Sequence, residues 1–243
     1  MLYIVGLGLS DDDITLSCLE SVKSADIIYI EDYTNKWLGS ASLLERLTGK
    51  KIKHISREGV ESDKLIKEAK ARDVALLIPG DPFAATTHFE LIIEAAKQNI
   101  KYKIVHAPSI FSVIAETGLQ LYKFGETITI PYSHGNYNPS SWFAKISKNL
   151  SNKLHTLILL DIQNGNCMTV REALESIENL DKNRRIVTKK IVACSKLGTE
   201  QRKIVFGSFQ KLKKIDFDIP ACIIIPGNLH FKEEEALALW SCG

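Results

Sequence analysis

Four short segments carry the residues able to do chemistry, and each follows an apolar run: Gly6-Leu-Gly-Leu9, Gly80-Asp-Pro-Phe-Ala-Ala-Thr-Thr-His88, His106-Ala-Pro-Ser-Ile110 and Pro226-Gly-Asn-Leu-His230. Glycine permits a tight turn or a close approach of a ligand to the backbone. Asp81 can accept hydrogen bonds, Thr86 or Thr87 can cap a following helix, and His88 is a candidate proton acceptor or, as readily, a structural residue at the helix start. Taken singly, each segment is as readily a turn, and His106 and His230 as readily structural histidines. An acid and a histidine flanking one short loop exceed what a turn needs, and four such loops point to one shared ligand site. The dinucleotide fingerprint would require a third glycine at position 11, where Asp11 stands. No Ser/His/Asp or Cys/His order, metal-ligand spacing or Walker loop occurs, which points away from covalent hydrolysis and phosphoryl transfer.

The elements that must position these loops follow from the hydrophobic pattern. Apolar runs at residues 2–5, 27–30, 52–55, 74–78 and 102–105 alternate with helical periodicity at 14–21, 41–47, 62–70 and 89–98, the pattern of a parallel sheet covered by helices. In the second half, strands are predicted at 127–131, 156–161, 188–195, 203–206 and 221–226, with helices at 141–149, 170–179 and 233–240. Only residues 196–202 separate two of these strands, so an antiparallel pair is expected there. The chain therefore reads as two α/β domains, residues 1–110 with a mostly parallel sheet and 111–243 with a mixed one, joined near 107–118. In open α/β sheets ligands bind at the carboxyl ends of strands, where the glycine and histidine loops fall.

The 243 residues are 45% apolar and 25% charged with a net charge of +2, enough apolar content to bury a sizeable core. Lysines cluster at Lys50-Lys51-Ile-Lys53 and Lys211-Leu-Lys213-Lys214, but no long basic block or RNA-binding motif accompanies them, and no direct nucleic-acid partner is expected. The cysteines (Cys18, Cys167, Cys194, Cys222, Cys242) are scattered and read as reduced thiols filling the core, with no metal site. Met1-Leu-Tyr-Ile-Val lacks the basic head and cleavage site of a signal peptide, and no apolar run approaches membrane-spanning length, so a cytoplasmic protein is expected. Residues alone lead to an α/β protein that binds a small nucleotide-like ligand between two domains.

Set beside known families, Met1-Leu-Tyr-Ile-Val-Gly-Leu-Gly-Leu9, the GDPFAATTH loop, Gly118-Leu-Gln-Leu-Tyr-Lys-Phe-Gly-Glu-Thr127, His155-Thr-Leu-Ile-Leu-Leu-Asp-Ile162 and Pro226-Gly-Asn-Leu-His230 resemble the diphthine synthases, the methyltransferases of diphthamide biosynthesis. The GLQLYKFGET stretch looks like the eukaryotic branch. The resemblance implies the tetrapyrrole methylase fold, with S-adenosylmethionine in a cleft between two α/β domains, and a homodimer. It replaces the dinucleotide idea, because that fold holds its cofactor differently. Carried over by position, the implied cofactor contacts are Leu9, Asp81, Ala84, Ser109 and Ile110 in the first domain and Leu160, Phe206 and His230 in the second. Departures from the family pattern are Ser10 for a glycine, Ala84 for a glycine or larger aliphatic residue, and Ala107-Pro108 for Asn-Ala. An insertion of eukaryotic relatives is also missing, the chain passing from residues 164–167 straight to a helix.

The implied reaction transfers methyl groups from S-adenosylmethionine to the 3-amino-3-carboxypropyl group on a histidine of elongation factor 2, at its amine and, as in the eukaryotic branch, at its carboxylate to give diphthine methyl ester. An amine must lose a proton before it attacks, whereas a carboxylate at neutral pH is already a nucleophile. Since the methyl sits on a cationic sulfonium, alignment of nucleophile and methyl carries much of the acceleration. Residues 132–142 are a candidate docking loop for the protein substrate. A corrin-precursor methylase and a noncatalytic nucleotide-binding module remain the alternatives.

Overall fold

A computed structural model describes residues 1–133, 139–163 and 165–242. Residues 134–138 of the candidate docking loop lie outside the described residues. The chain divides into two compact units, Met1–Val113 and Ile114–Gly243.

In the first unit, β1 (Leu2–Gly6), α1 (Leu16–Ser24), β2 (Ile27–Ile30), α2 (Ala41–Thr48), β3 (Ile52–His54), α3 (Arg57–Glu61), α4 (Lys64–Ala69), β4 (Val74–Ile78), α5 (Phe89–Lys97), β5 (Tyr102–Val105) and α6 (Ile110–Val113) follow in order. The strands form a wholly parallel sheet of order β3-β2-β4-β1-β5. Its central strands β1 and β4 are buried along their whole length, which is why both read as continuous apolar runs. Tyr3, Val5, Ala75 and Leu77 pack with Cys18 and Val22 of α1 and Leu44 of α2 on one face. Leu2, Ile4, Val74 and Leu76 pack with Leu65 and Ile66 of α4 and Leu91, Ile92 and Ala95 of α5 on the other. The chain leaves β1 towards β2 and leaves β4 towards β5, so these adjacent strands send their helices to opposite faces. The carboxyl ends of β1 and β4 thus flank a topological switch point, the place where open α/β sheets hold ligands.

The second unit contains β6 (Ile128–Ile130), α7 (Ser141–Ser151), β7 (Thr156–Leu160), β8 (Ile162–Gln163), β9 (Asn166–Cys167), α8 (Val170–Leu180), β10 (Lys190–Ser195), β11 (Lys203–Ser208), α9 (Phe209–Leu212), β12 (Ala221–Ile225) and α10 (Phe231–Leu239). Its sheet has the order β11-β10-β12-β7-β6 and is mixed: β6 and β7 are parallel and the other pairs antiparallel. The antiparallel pair expected around residues 196–202 is β10 and β11, with Ser195 opposite Lys203. Trp142 and Ile146 of α7, Ala173, Leu174 and Ile177 of α8, and Phe209 and Leu212 of α9 cover one face. The passage into α8 is not direct as expected: β8 and β9 pair antiparallel first, and Thr169 then caps α8 in a capping box with Glu172. Cys18, Cys194 and Cys222 are buried, and the cysteines are free thiols.

Candidate functional site

In the first unit the predicted residues converge on the carboxyl edge of the sheet. Beyond β1 and β4 the two glycine loops are sewn together: Gly80 N–H donates to the Gly8 carbonyl at 2.7 Å, and Gly8 N–H to the Gly80 carbonyl at 3.2 Å. Both glycines hold positive φ, +71° and +79°, which other residues adopt at a cost. Leu9 is fixed by Asp13, whose carboxylate accepts the Leu9 N–H at 2.8 Å. Asp11, where a dinucleotide fingerprint would have glycine, accepts the Ser40 N–H at 2.8 Å and so ties the first loop to the start of α2.

Asp81 joins the second loop to the third. Its Oδ1 accepts the Phe83 N–H at 3.0 Å, forming a local turn, while Oδ2 accepts the Ala107 N–H at 3.3 Å and the His106 Nδ1–H at 2.8 Å. Ala84 closes the turn by donating its N–H to the Asp81 carbonyl at 3.1 Å. Ser109 is buried at the entry to α6, its N–H donating to the Ser112 hydroxyl at 3.0 Å, and Ile110 begins that helix. Leu9, Asp81, Ala84, Ser109 and Ile110 therefore share one edge of one sheet.

One reading of the GDPFAATTH loop is corrected, and the role of His88 is resolved toward the start of α5. Neither threonine caps α5 with its side chain: the N-cap is His88, without a side-chain cap bond, and the Thr86 hydroxyl turns back to donate to the Pro82 carbonyl. His88 is 1% exposed, with Nε2 hydrogen-bonded to the Tyr33 hydroxyl at 3.2 Å. It is thus packed in the core, and that burial holds its imidazole below the ordinary histidine range.

The second unit spreads its predicted residues out. Leu160 ends β7, whereas Phe206 in β11 stands level with Leu157 through Val192 and Ile224. That is three strands across and roughly 10 Å along the strand direction from Leu160. The backbone of Phe206 pairs with the segment after α10, its N–H donating to the Trp240 carbonyl at 2.8 Å and its carbonyl accepting the Cys242 N–H at 3.1 Å. His230 is an exposed N-cap of α10, with Nδ1 accepting the Lys232 N–H at 3.3 Å. The sheet brings neither Phe206 nor His230 to Leu160.

A cluster that the sequence reading did not single out links the most distinctive segments of this unit. Glu233, fully buried, accepts from His155 Nε2–H at 2.9 Å and Gln120 N–H at 2.9 Å on Oε1, and from His230 N–H at 2.7 Å and the Lys123 ammonium on Oε2. His155, also fully buried, accepts the Gly227 N–H on Nδ1 at 2.9 Å, which fixes its Nε2–H tautomer. Burial alone would raise the Glu233 carboxyl, but its four donors pull it down to about 2. Burial keeps His155 below its ordinary value despite the Glu233 partner. The visible signal was the spacing His230-x-x-Glu233, a capping-box pattern.

The family model "Tetrapyrrole (Corrin/Porphyrin) Methylases" matches residues 1–213. A diphthine synthase of Methanocaldococcus jannaschii is 44% identical over 98% of this chain and 97% of its own length. This chain belongs to the diphthine synthase family. A diphthine methyl ester synthase of Bos taurus is 37% identical, covering 99% of this chain and 95% of its own. Among solved structures, a crystal structure of diphthine synthase superposes with a TM-score of 0.89 at 34% identity, over 99% of this chain and 95% of that one. One from Entamoeba histolytica reaches 0.90 at 33% identity, over 100% and 99%. As a member of the family this chain is a methyltransferase of the tetrapyrrole methylase fold. Identity is higher to the archaeal relative than to the bovine one, whereas the GLQLYKFGET stretch had pointed to the eukaryotic branch.

Proposed function

We propose that the protein methylates the 3-amino-3-carboxypropyl-histidine of elongation factor 2, using S-adenosylmethionine. The observation that carries the reading is the convergence of Leu9, Asp81, Ala84, Ser109 and Ile110 on the switch-point edge of the first sheet, in a chain of this family. Their chemistry fits a nucleoside bearing a cationic sulfonium: a largely buried carboxylate beside small and apolar side chains, on backbone turned at positive φ by Gly8 and Gly80. Asp81 supplies the acceptor, Leu9 and Ile110 apolar surface, and Ala84 and Ser109 room. Leu160, Phe206 and His230 are proposed contacts on the resemblance alone. Bound there, S-adenosylmethionine supplies an electrophilic methyl group. The residues of the chain then have to orient the nucleophile and take up the proton that an amine releases.

The amine is the principal nucleophile in this reading, and esterification of the carboxylate is the eukaryotic-type addition. The protein is read as cytoplasmic and homodimeric, with elongation factor 2 as its protein partner. Among the described residues no helix is long and apolar enough to cross a membrane. Radiolabelled methyl transfer to elongation factor 2 already bearing the aminocarboxypropyl group tests the function. No incorporation into verified substrate would sink it, and labelling of a corrin precursor instead would favour the other branch of the fold.

A further inference from the structure

We propose that His106 is the catalytic base that takes the proton from the substrate amine, and that Asp81 is the positioning residue that aims it; this rests on the methyl-transfer reading above. His106 follows β5 directly, on the same carboxyl edge as the proposed cofactor contacts. Its Nδ1–H donates to Asp81 Oδ2 at 2.8 Å, which fixes the tautomer and leaves the lone pair on Nε2. The side chain of Asp81 is only 16% exposed and that of His106 69% exposed, so an inner carboxylate orients an outer imidazole. The Phe83 ring meets the imidazole edge-on at 6.2 Å. A second bond to the same carboxylate, from Ala107 N–H at 3.3 Å, fixes the backbone beside it. The ring is thus held by the very loop proposed to grip the cofactor.

Among the described histidines no other is arranged this way. His88 and His155 are buried, His230 spends Nδ1 on a helix cap, and His54 stands 3.6 Å from the exposed Asp32, beyond hydrogen-bond reach. A histidine kept only to staple the loops would gain most by being buried with its carboxylate. Here the ring is held through Nδ1 while most of the side chain stays exposed, the division of labour of a histidine oriented by an aspartate in acyl-transfer enzymes.

The step balances without a further reactant. The amine nitrogen bonds to the sulfonium methyl carbon, and the C–S bond breaks with its electron pair passing to sulfur. The proton leaves the amine for Nε2 of His106, and the other product is the neutral thioether. A carboxylate nucleophile releases no proton and does not need this base.

The test uses the full chain, S-adenosylmethionine, and elongation factor 2 verified to carry the aminocarboxypropyl group, with H106A and H106Q beside the wild type. Calorimetry should show cofactor affinity within about twofold of wild type for both variants, and N-methylation should fall about a hundredfold or more. Added imidazole should restore part of the rate in H106A, which leaves a space, and none in H106Q, while any ester formation on the carboxylate is spared. N-methylation within a few-fold of wild type in either folded variant, or a loss in folded H106A that imidazole does not rescue while cofactor affinity is intact, would overturn the assignment. Should H106A melt at lower temperature, H106Q decides by the same loss of rate at unchanged affinity. An inactive wild type on the verified substrate would instead remove the functional reading itself, and the two failures are distinguishable.

Discussion

At the scale of single residues, Asp81 has more partners than a turn requires: it holds its own loop through Phe83 and the third loop through Ala107 and His106. Asp81→Ala is predicted to weaken S-adenosylmethionine binding about tenfold or more, since a hydrogen bond to a charged group contributes at least about 1.5 kcal/mol. Calorimetric titration measures it, and unchanged affinity would return Asp81 to a purely structural role. Gly6 is the second sensitive position, because a Cβ there would come within 2.7 Å of the Gly80 carbonyl and 3.0 Å of Ala107 and Pro82. Gly6→Ala should cost about 1–3 kcal/mol, the usual range for forcing an atom into packed surroundings. A melting temperature equal to that of wild type would show that the loops yield more easily than this contact implies.

At the scale of elements, Glu233 fastens the start of α10 to the segments at Gln120 and Lys123 and to the start of β7. Removing it leaves His155 and the Lys123 ammonium without their carboxylate, and Glu233→Ala is predicted to destabilise the chain by about 3 kcal/mol, read by denaturant titration. The pH dependence has a fixed sign. His155 is held neutral below its ordinary 6.5, so the unfolded chain binds a proton first as the solution acidifies, and stability present above that pH declines below it. Glu233 titrates at about 2 rather than 4.5, which adds a second loss between those values. Glu233→Gln should abolish this lower loss; a wild-type stability that is flat from pH 7 to about 3 would refute the account.

At the scale of the whole molecule, the outcome to measure is the product. Mass spectrometry of elongation factor 2 after exhaustive reaction should show methyl groups on the amine. An additional group labile to mild base would mark the ester, the activity named for the bovine relative. Archaeal and bovine relatives match at 44% and 37% identity, so overall identity does not decide between these products. Identity averages over the core, while the number of methyl groups depends on the few side chains near the acceptor.

The sequence alone determined what local patterns can encode. Period and length of the apolar runs set the strands of both units, and the seven residues 196–202 set an antiparallel pair. The glycines of GLG and GDP marked the loops that lie side by side at β1 and β4. Tertiary structure alone decided which polar groups meet. Asp81 and His106 lie 25 residues apart, and Glu233 and His155 78 apart, so neither partnership has a local signature. Whether His88 was a proton acceptor or a helix-start residue stayed open in the sequence; it is a buried N-cap, because burial is set by packing rather than by adjacent residues. Strand order likewise separates Leu160 from Phe206: a register is a long-range property, which no short motif contains.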